Sequence, residues 1–466
     1  MVFALFVALS FLAGAAPTQA AAPGLEQPRF GDMDAIIERG TLRVLVEYNQ
    51  TRFFVVGGEL RGFEYELVNR FVEDLRTRDP SLKSLKVVYI PLPFERILPA
   101  LAEGYGDLAA AGLTVTEDRR ESVDFSDPYL RDVREVVVLG KRAEPATTLA
   151  DLAGKEVHVQ EGTSYAANAR AAMDRMQADG LEPFELVEQD LQTANLLEMA
   201  NAGVIDYVVQ DDYAAALWTD ALPNIRVSDV ALTEAGSIAW ALRKDTPELA
   251  AAVNAYIADN RKGSLVGNIL FKRYFETVKW ITDPLATALD RDRLAELRAH
   301  FEAASEEQRI SWILLAAQGY QESRLDQSVV SSAGAVGVMQ LLPSTAKDPA
   351  VGDVDIHQAR ENIIGGARYL RHLRDRYDGI GGPFTPWAFA LAAYNAGPGR
   401  LNQARKLAQE KGLDPDRWTG NVEYAMMSLV GMEPVRYVGN IRMYFTAYRI
   451  ALAAEAGTET TAVGRN

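Results

Sequence analysis

The side chain best placed to do chemistry is Glu322, in the run Tyr320-Gln321-Glu322-Ser323. Ile310, Ile313, Leu314 and Ala317 recur at helical core spacing just before it, so this run closes a helix that should fray near Asp326. Glu322 then occupies the last turn, where aligned peptide dipoles leave partial negative charge and disfavour a second anion. That field, with an apolar wall, raises a carboxyl pKa. A carboxylic acid still protonated near neutrality is what cleavage of a glycosidic bond requires as general acid. A solvated glutamate at a helix end fits the same local pattern, so the surroundings must decide. A hydrolase would also need a second carboxylate across the bond. None stands out by pattern, and Asp326, Asp348 and Glu361 stay open as candidates.

Other chemistries are narrowed by composition. The 466 residues include no cysteine, which removes disulfides, thiolate metal sites, thiol nucleophiles and a lipid carried on an N-terminal cysteine. The four histidines, His158, His300, His357 and His372, are scattered with no i, i+4 pair, so neither a metal nor another cofactor is expected. A formal charge of −16 argues against nucleic acid as a partner. Residues 291–450 are close to electroneutral, so residues 1–290 carry almost all of that charge. Such asymmetry suggests two modules facing different partners, the neutral one able to approach a large anionic polymer.

The elements that must position these residues fall into the same two parts. Strands at Leu42–Val46, Lys86–Ile90, Val136–Leu139, Val157–Val159 and Tyr207–Val209 alternate with helix-length amphipathic segments, which predicts α/β units on largely parallel sheets. From about 291 the pattern is helical almost throughout. Ser305-Glu306-Glu307-Gln308 reads as a capping box that opens the Glu322 helix at Ser305. Residues 1–16 form an apolar run followed by small residues, the pattern of a secretory signal with cleavage after Ala20 or Ala22, though it lacks a basic start. The run is short for a membrane span. Gly104-Tyr105-Gly106 follows a helix rather than a strand and is not a dinucleotide fingerprint.

Two resemblances are carried by ordered motifs. Gly40–Val44, Gly62–Leu67, Thr116–Tyr129, Leu152–Val157, Gly162-Thr163-Ser164, Asp206-Tyr207 and Asp211 together resemble the periplasmic amino-acid-binding family, the bacterial solute-binding proteins of family 3. The resemblance implies two α/β lobes over about residues 38–265 that close on a small amino-acid or muropeptide ligand. In that family's pattern Arg119 would clamp a carboxylate bidentately. Donors around Thr163 and Ser164, at a helix start, would hold the same group, and Asp211 would take an ammonium.

Downstream, Glu322-Ser323, Ser331–Pro343, Ala392–Gly399 and Glu433–Val438 look like the soluble-lytic-transglycosylase, or goose-lysozyme-like, domain over about residues 295–452. By position Glu322 matches the catalytic acid of that family. Ser331, Met339, Gln340, Tyr394, Asn395, Glu433 and Tyr437 match residues that bind the glycan, with Val338 and Pro434 departing from the usual pattern. The resemblance implies a mostly helical lysozyme-like domain acting on peptidoglycan strands without hydrolysis, leaving 1,6-anhydromuramic acid ends. Read together, the motifs describe a multidomain chain: a signal at 1–22, the two-lobed domain, a linker at 266–294, the catalytic domain and a flexible tail at 453–466. It would be exported to the periplasm and associate peripherally with the outer membrane. The alternative is a solute-binding protein for amino acids or muropeptides whose C-terminal domain grips glycan without cleaving it.

Overall fold

The computed structural model describes residues 28–56, 59–278, 291–381, 384–410 and 413–463. The expected signal, and part of the expected linker, lie outside them. Two sheets organise the first half. One runs in the order Lys86–Pro91, Thr41–Val46, Leu108–Thr114, Gly236–Leu242 and Asp124–Phe125, its first three strands parallel and Gly236–Leu242 antiparallel to Leu108–Thr114. The other runs Glu185–Gln189, Glu156–Gln160, Tyr207–Asp211, Glu135–Leu139 and Arg226–Ala231, with Glu135–Leu139 antiparallel to both neighbours. Each sheet is therefore parallel only in part, where largely parallel sheets were expected. The antiparallel strands mark where the chain leaves the first sheet after Val133 and returns to it at Gly236. These are two lobes joined by two crossings.

Val44, Leu45, Val46 and Ala109–Ala111 are fully buried, which fits continuous apolar strands covered on both faces by helices. Within the first lobe Asp107 is buried and carries three arginines, Arg39 and Arg43 at 2.7 Å and Arg243 at 3.1 Å. Burial alone would raise this carboxyl, but the guanidinium of Arg43 and then that of Arg39 hold it below the usual aspartate range. The helix Leu265–Phe275, in the segment expected to be linker, buries Leu270, Tyr274 and Phe275 in the first lobe's core.

The second half is helical as expected, with one correction. Ser305 does not open a helix. It lies inside Arg291–Gln308; the chain turns at Arg309, whose φ is 54°, and Trp312–Ser323 starts afresh after Ser311. The apolar spacing around Ile310 was sound, but the capping pattern fell within a longer amphipathic helix that packs on Ala359–Asp375. The helix Glu433–Val463 crosses Trp312–Ser323, with Tyr320 and Tyr444 edge to face at 4.8 Å between ring centres, and it continues into the segment expected to be a tail. Among the described residues no helix is long and apolar enough to cross a membrane.

Candidate active site

Glu322 sits in the last turn of Trp312–Ser323, which ends at Arg324 in the left-handed conformation (φ 56°). The Tyr437 hydroxyl, from the first turns of Glu433–Val463, donates to Glu322 Oε1 at 2.5 Å, and Gln318 Nε2, one helical turn before Glu322, donates to that hydroxyl at 3.3 Å. Burial pushes the Glu322 carboxyl up to about 7, the hydrogen bond from Tyr437 pulling the other way. An acid held there is half protonated near neutrality and can both give and take a proton. The three candidates for a second acid are engaged elsewhere. Asp326 accepts from Ser328 and faces Arg293, Asp348 accepts from the Ala350 amide, and Glu361 accepts from that of Asp355.

The loop Ser331–Leu341 is fastened beside this acid by Ser323, the second residue of the Glu322-Ser323 motif, and by Asn362, which no motif singled out. Ser323 Oγ donates to the Val338 carbonyl at 3.0 Å, tying the end of the Glu322 helix to the loop. Asn362, fully buried on Ala359–Asp375, accepts from Met339 N at 2.8 Å and donates to the carbonyls of Val336 and Ile356. Gly337 (φ +80°) lies where a Cβ would meet the side-chain nitrogens of Gln327 and Asn362 within 2.6 Å, and a Cβ on Gly366 would meet Met339 at the same distance. The loop thus lies directly on the helix. The readable signal for Asn362 was an amide on an apolar helix face followed by Gly365-Gly366.

The other expected glycan residues distribute as follows. The Met339 side chain is fully buried, so what it offers its surroundings is its carbonyl, which accepts from the Tyr394 hydroxyl at 2.8 Å. Burial, then the charge of Glu322, raise the Tyr394 phenol well above its ordinary value, which puts Tyr394 within electrostatic reach of the acid. Gln340 (φ 48°) turns its amide onto the carbonyls of Gly337 and Val329, and Ser331 Oγ accepts from the Ala335 amide. Asn395 Nδ2 stands 3.5 Å from Glu433 Oε1 at the exposed rim. Glu433-Pro434 opens its helix, as proline in a first turn should.

In the cleft of the two lobes, Arg119 donates to the carbonyls of Thr114 (2.8 Å) and Gly162 (3.4 Å), and Thr163 Oγ1 to that of Gln160 (2.7 Å). Ser164 faces Glu135, and Asp211 faces Arg52. The catalytic domain touches both lobes. Arg442 pairs with Asp190 at 2.5 Å, Arg436 hydrogen-bonds the Tyr48 hydroxyl, and a cavity of about 440 Å³ between the three bodies is lined by Tyr48, Phe94, Glu95, Trp418, Tyr424 and Arg436 among others.

Comparison with known proteins meets this geometry at both ends. Residues 299–416 match the family described as Transglycosylase SLT domain, and residues 42–277 match Bacterial extracellular solute-binding proteins, family 3. A membrane-bound lytic murein transglycosylase F of Desulfosudis oleivorans is 31% identical over 430 residues, covering 88% of this chain and 90% of that one. One from Pseudomonas fluorescens strain Pf-5 is 32% identical over 432 residues, covering 89% and 85%. The chain belongs to the membrane-bound lytic murein transglycosylase F family. A solved relative of its N-terminal half, an ancestral arginine-binding protein bound to arginine, is 27% identical with a TM-score of 0.42, covering 51% of this chain and 99% of that protein. For the family's catalytic half the site just described supplies one acid, one hydroxyl on it, and a loop braced by Ser323 and Asn362.

Proposed function

We propose that the protein cleaves the bond between N-acetylmuramic acid and N-acetylglucosamine in peptidoglycan without hydrolysis. The observation that carries this reading is Glu322, poised near neutrality with Tyr437 on it while Asp326, Asp348 and Glu361 are held by other groups. Glu322 as acid gives its proton to the glycosidic oxygen and the bond to muramyl C1 breaks, the substrate's own N-acetyl group stabilising the cation. The carboxylate then takes the proton of the muramyl 6-hydroxyl, whose oxygen bonds to C1 and closes the 1,6-anhydro ring. The acid is regenerated and no water enters. Tethering the nucleophile within the substrate lowers the entropic cost of attack. Tyr437 and Tyr394 position the acid and its loop, buried Met339 anchors that loop rather than meeting the glycan, and Ser331, Gln340, Asn395 and Glu433 line the glycan's path.

The lobes act as a regulatory module, with Arg119, Thr163, Ser164 and Asp211 at the cleft between them. Arg436 and Tyr437 are successive residues, one bonded to Tyr48 of the first lobe and the other to Glu322. Movement of the lobes thus has a direct mechanical route to the acid, by a shift of population between arrangements. The protein works in the periplasm, exported by its N-terminal segment and held peripherally at the outer membrane. Mass spectrometry of digested sacculi tests the chemistry. Anhydromuropeptides that vanish with Glu322→Gln support it, and water incorporated at muramyl C1 overturns it.

A further inference from the structure

The cleft between the lobes already holds charges of this chain's own. Antiparallel register sets Glu135 directly opposite Asp211 on neighbouring strands, both side chains buried. Ser164 Oγ donates to Glu135 Oε1 at 2.6 Å, and Asn168 Nδ2 donates to Oε2 at 2.8 Å. Glu135 therefore sits on the hydroxyl, at the start of the helix Ser164–Ala178, that suits the carboxylate of a ligand. At the other end Arg52 crosses from the first lobe to the second. Its Nη2 donates to the Tyr213 hydroxyl at 2.8 Å and lies 3.6 Å from Asp211 Oδ2.

The path of Arg52 is built rather than incidental. It passes over Gly112, where a Cβ would come within 2.3 Å of Arg52 Nε, so the position has room for the guanidinium only as glycine. The amides of Phe63 and Glu64 donate to the carbonyls of Thr51 and Arg52, each at 3.0 Å. Gly62 (φ +129°) leaves no space for a Cβ, which would stand 2.1 Å from the Arg52 carbonyl oxygen. A buried carboxylate such as Asp211 needs a cation or hydrogen bonds in compensation, and Arg52 is the cation that reaches it. Beside Arg52 the cleft keeps a cavity of about 30 Å³, lined by Glu47, Asn49, Arg52, Thr114 and Ser164 among others. That is room for a water and not for an amino acid.

We propose that the cation subsite of this cleft is a guanidinium site filled by the chain's own Arg52, and that the cleft binds no free α-amino acid while Arg52 is in place. Glu135 and Arg52 stand in for the two charged ends of such a ligand, and Arg52 straps one lobe to the other. The inference goes beyond the regulatory reading and holds whether or not the lobes govern turnover, because its readout is binding.

The test uses the full chain, by calorimetric titration and thermal unfolding, with L-arginine and methylguanidine as probes. The unsubstituted protein is expected to give no heat of binding and no shift in midpoint with either. Arg52→Ala should unfold several degrees lower and regain a few degrees, saturably, when methylguanidine refills the site. Arg52→Gln, which keeps the length of the stem but not the charge, should show the same gain and serves if Arg52→Ala does not fold. Saturable binding of L-arginine to the unsubstituted protein would overturn the proposal. So would a folded Arg52 variant that gains no affinity for methylguanidine.

Discussion

Three buried or half-buried carboxyls in two regions of this molecule differ in what stands against them, and the difference separates chemistry from architecture. Glu322 in the catalytic domain and Asp211 in the lobes are both pushed up to about 7, and in both burial is the main cause. Among the described residues Glu322 has a hydroxyl and no cation against it, so its proton can leave and return during a reaction. Asp211 has a guanidinium at 3.6 Å, so its charge belongs to the joint between two lobes. Asp107, with three arginines, lies at the far end of the series and is held ionised. At the same raised value, the group that stands against a buried acid decides whether its proton is free to exchange or its charge bridges two elements, and several cations hold it ionised.

Removing each acid should therefore fail differently. Glu322→Gln is expected to lower kcat by about 10²–10⁴-fold, the usual worth of a positioned general acid, with sacculus binding retained in a sedimentation assay. A smaller loss would mean that another group supplies the proton. Asp107→Asn should leave the catalytic domain intact and cost the N-terminal domain about 3–5 kcal/mol, because three guanidinium groups lose their buried counter-charge. Denaturant unfolding followed by tryptophan fluorescence measures it, Trp240 and Trp218 lying in the lobes and Trp312, Trp387 and Trp418 in the catalytic domain. The carboxyl of Asp107 is depressed, so its contribution is present above the ordinary aspartate pKa and lost as pH falls through the lower folded value. The deficit of Asp107→Asn should accordingly shrink in acid.

How far the sequence reveals this arrangement depends on the range of the interaction. Strands such as Leu42–Val46 and Tyr207–Val209 are legible because an apolar run between turn signals is a local property. Glu322 is legible from its helix and its motif. The contact that defines its chemistry is less so, since Tyr437 lies 115 residues away and its motif marked it for glycan binding rather than for the acid itself. Asn362 and Gly366 could be read only as an amide and glycines in an apolar helix, with no clue that Met339 lies on them. Arg52 could not be read at all. An arginine between Thr51 and Phe53 is an ordinary surface residue until the second lobe folds over it and Gly112 clears its way. The capping pattern at Ser305 misled for the opposite reason: it is local and well formed, but tertiary packing against Ala359–Asp375 carried the helix through it.

The contrast between an acid with a hydroxyl and one with cations can be sharpened by removing the hydroxyl. In Tyr437→Phe the hydrogen bond that favours the charged form of Glu322 is gone, so the carboxyl should rise further above 7. Activity is expected to fall about tenfold, roughly 1.4 kcal/mol of lost positioning, while the alkaline limb of the kcat/KM profile moves to higher pH. A limb that stays in place would show that it reports a group other than Glu322.

The remaining effect expected is on stability, and its sign is opposite to that of Asp107. Folding raises the Glu322 carboxyl from its ordinary value of 4.5 to about 7, so the native state holds a proton that the unfolded chain releases. Stability from this group is therefore full below the ordinary value, declines as pH rises between the two, and stays at its lower level beyond the folded value. Glu322→Gln removes the ionisation, leaves an amide that can still accept from Tyr437, and escapes the loss. The variant should match the unsubstituted protein in acid and exceed it by about 2 kcal/mol, a gain of a few degrees in midpoint, on the alkaline side of neutrality. Scanning calorimetry of both proteins on either side of that interval measures the difference. A gap that does not widen with pH would mean that Glu322 ionises like a surface glutamate, and the distinction drawn between the two regions would fail at the acid proposed for catalysis.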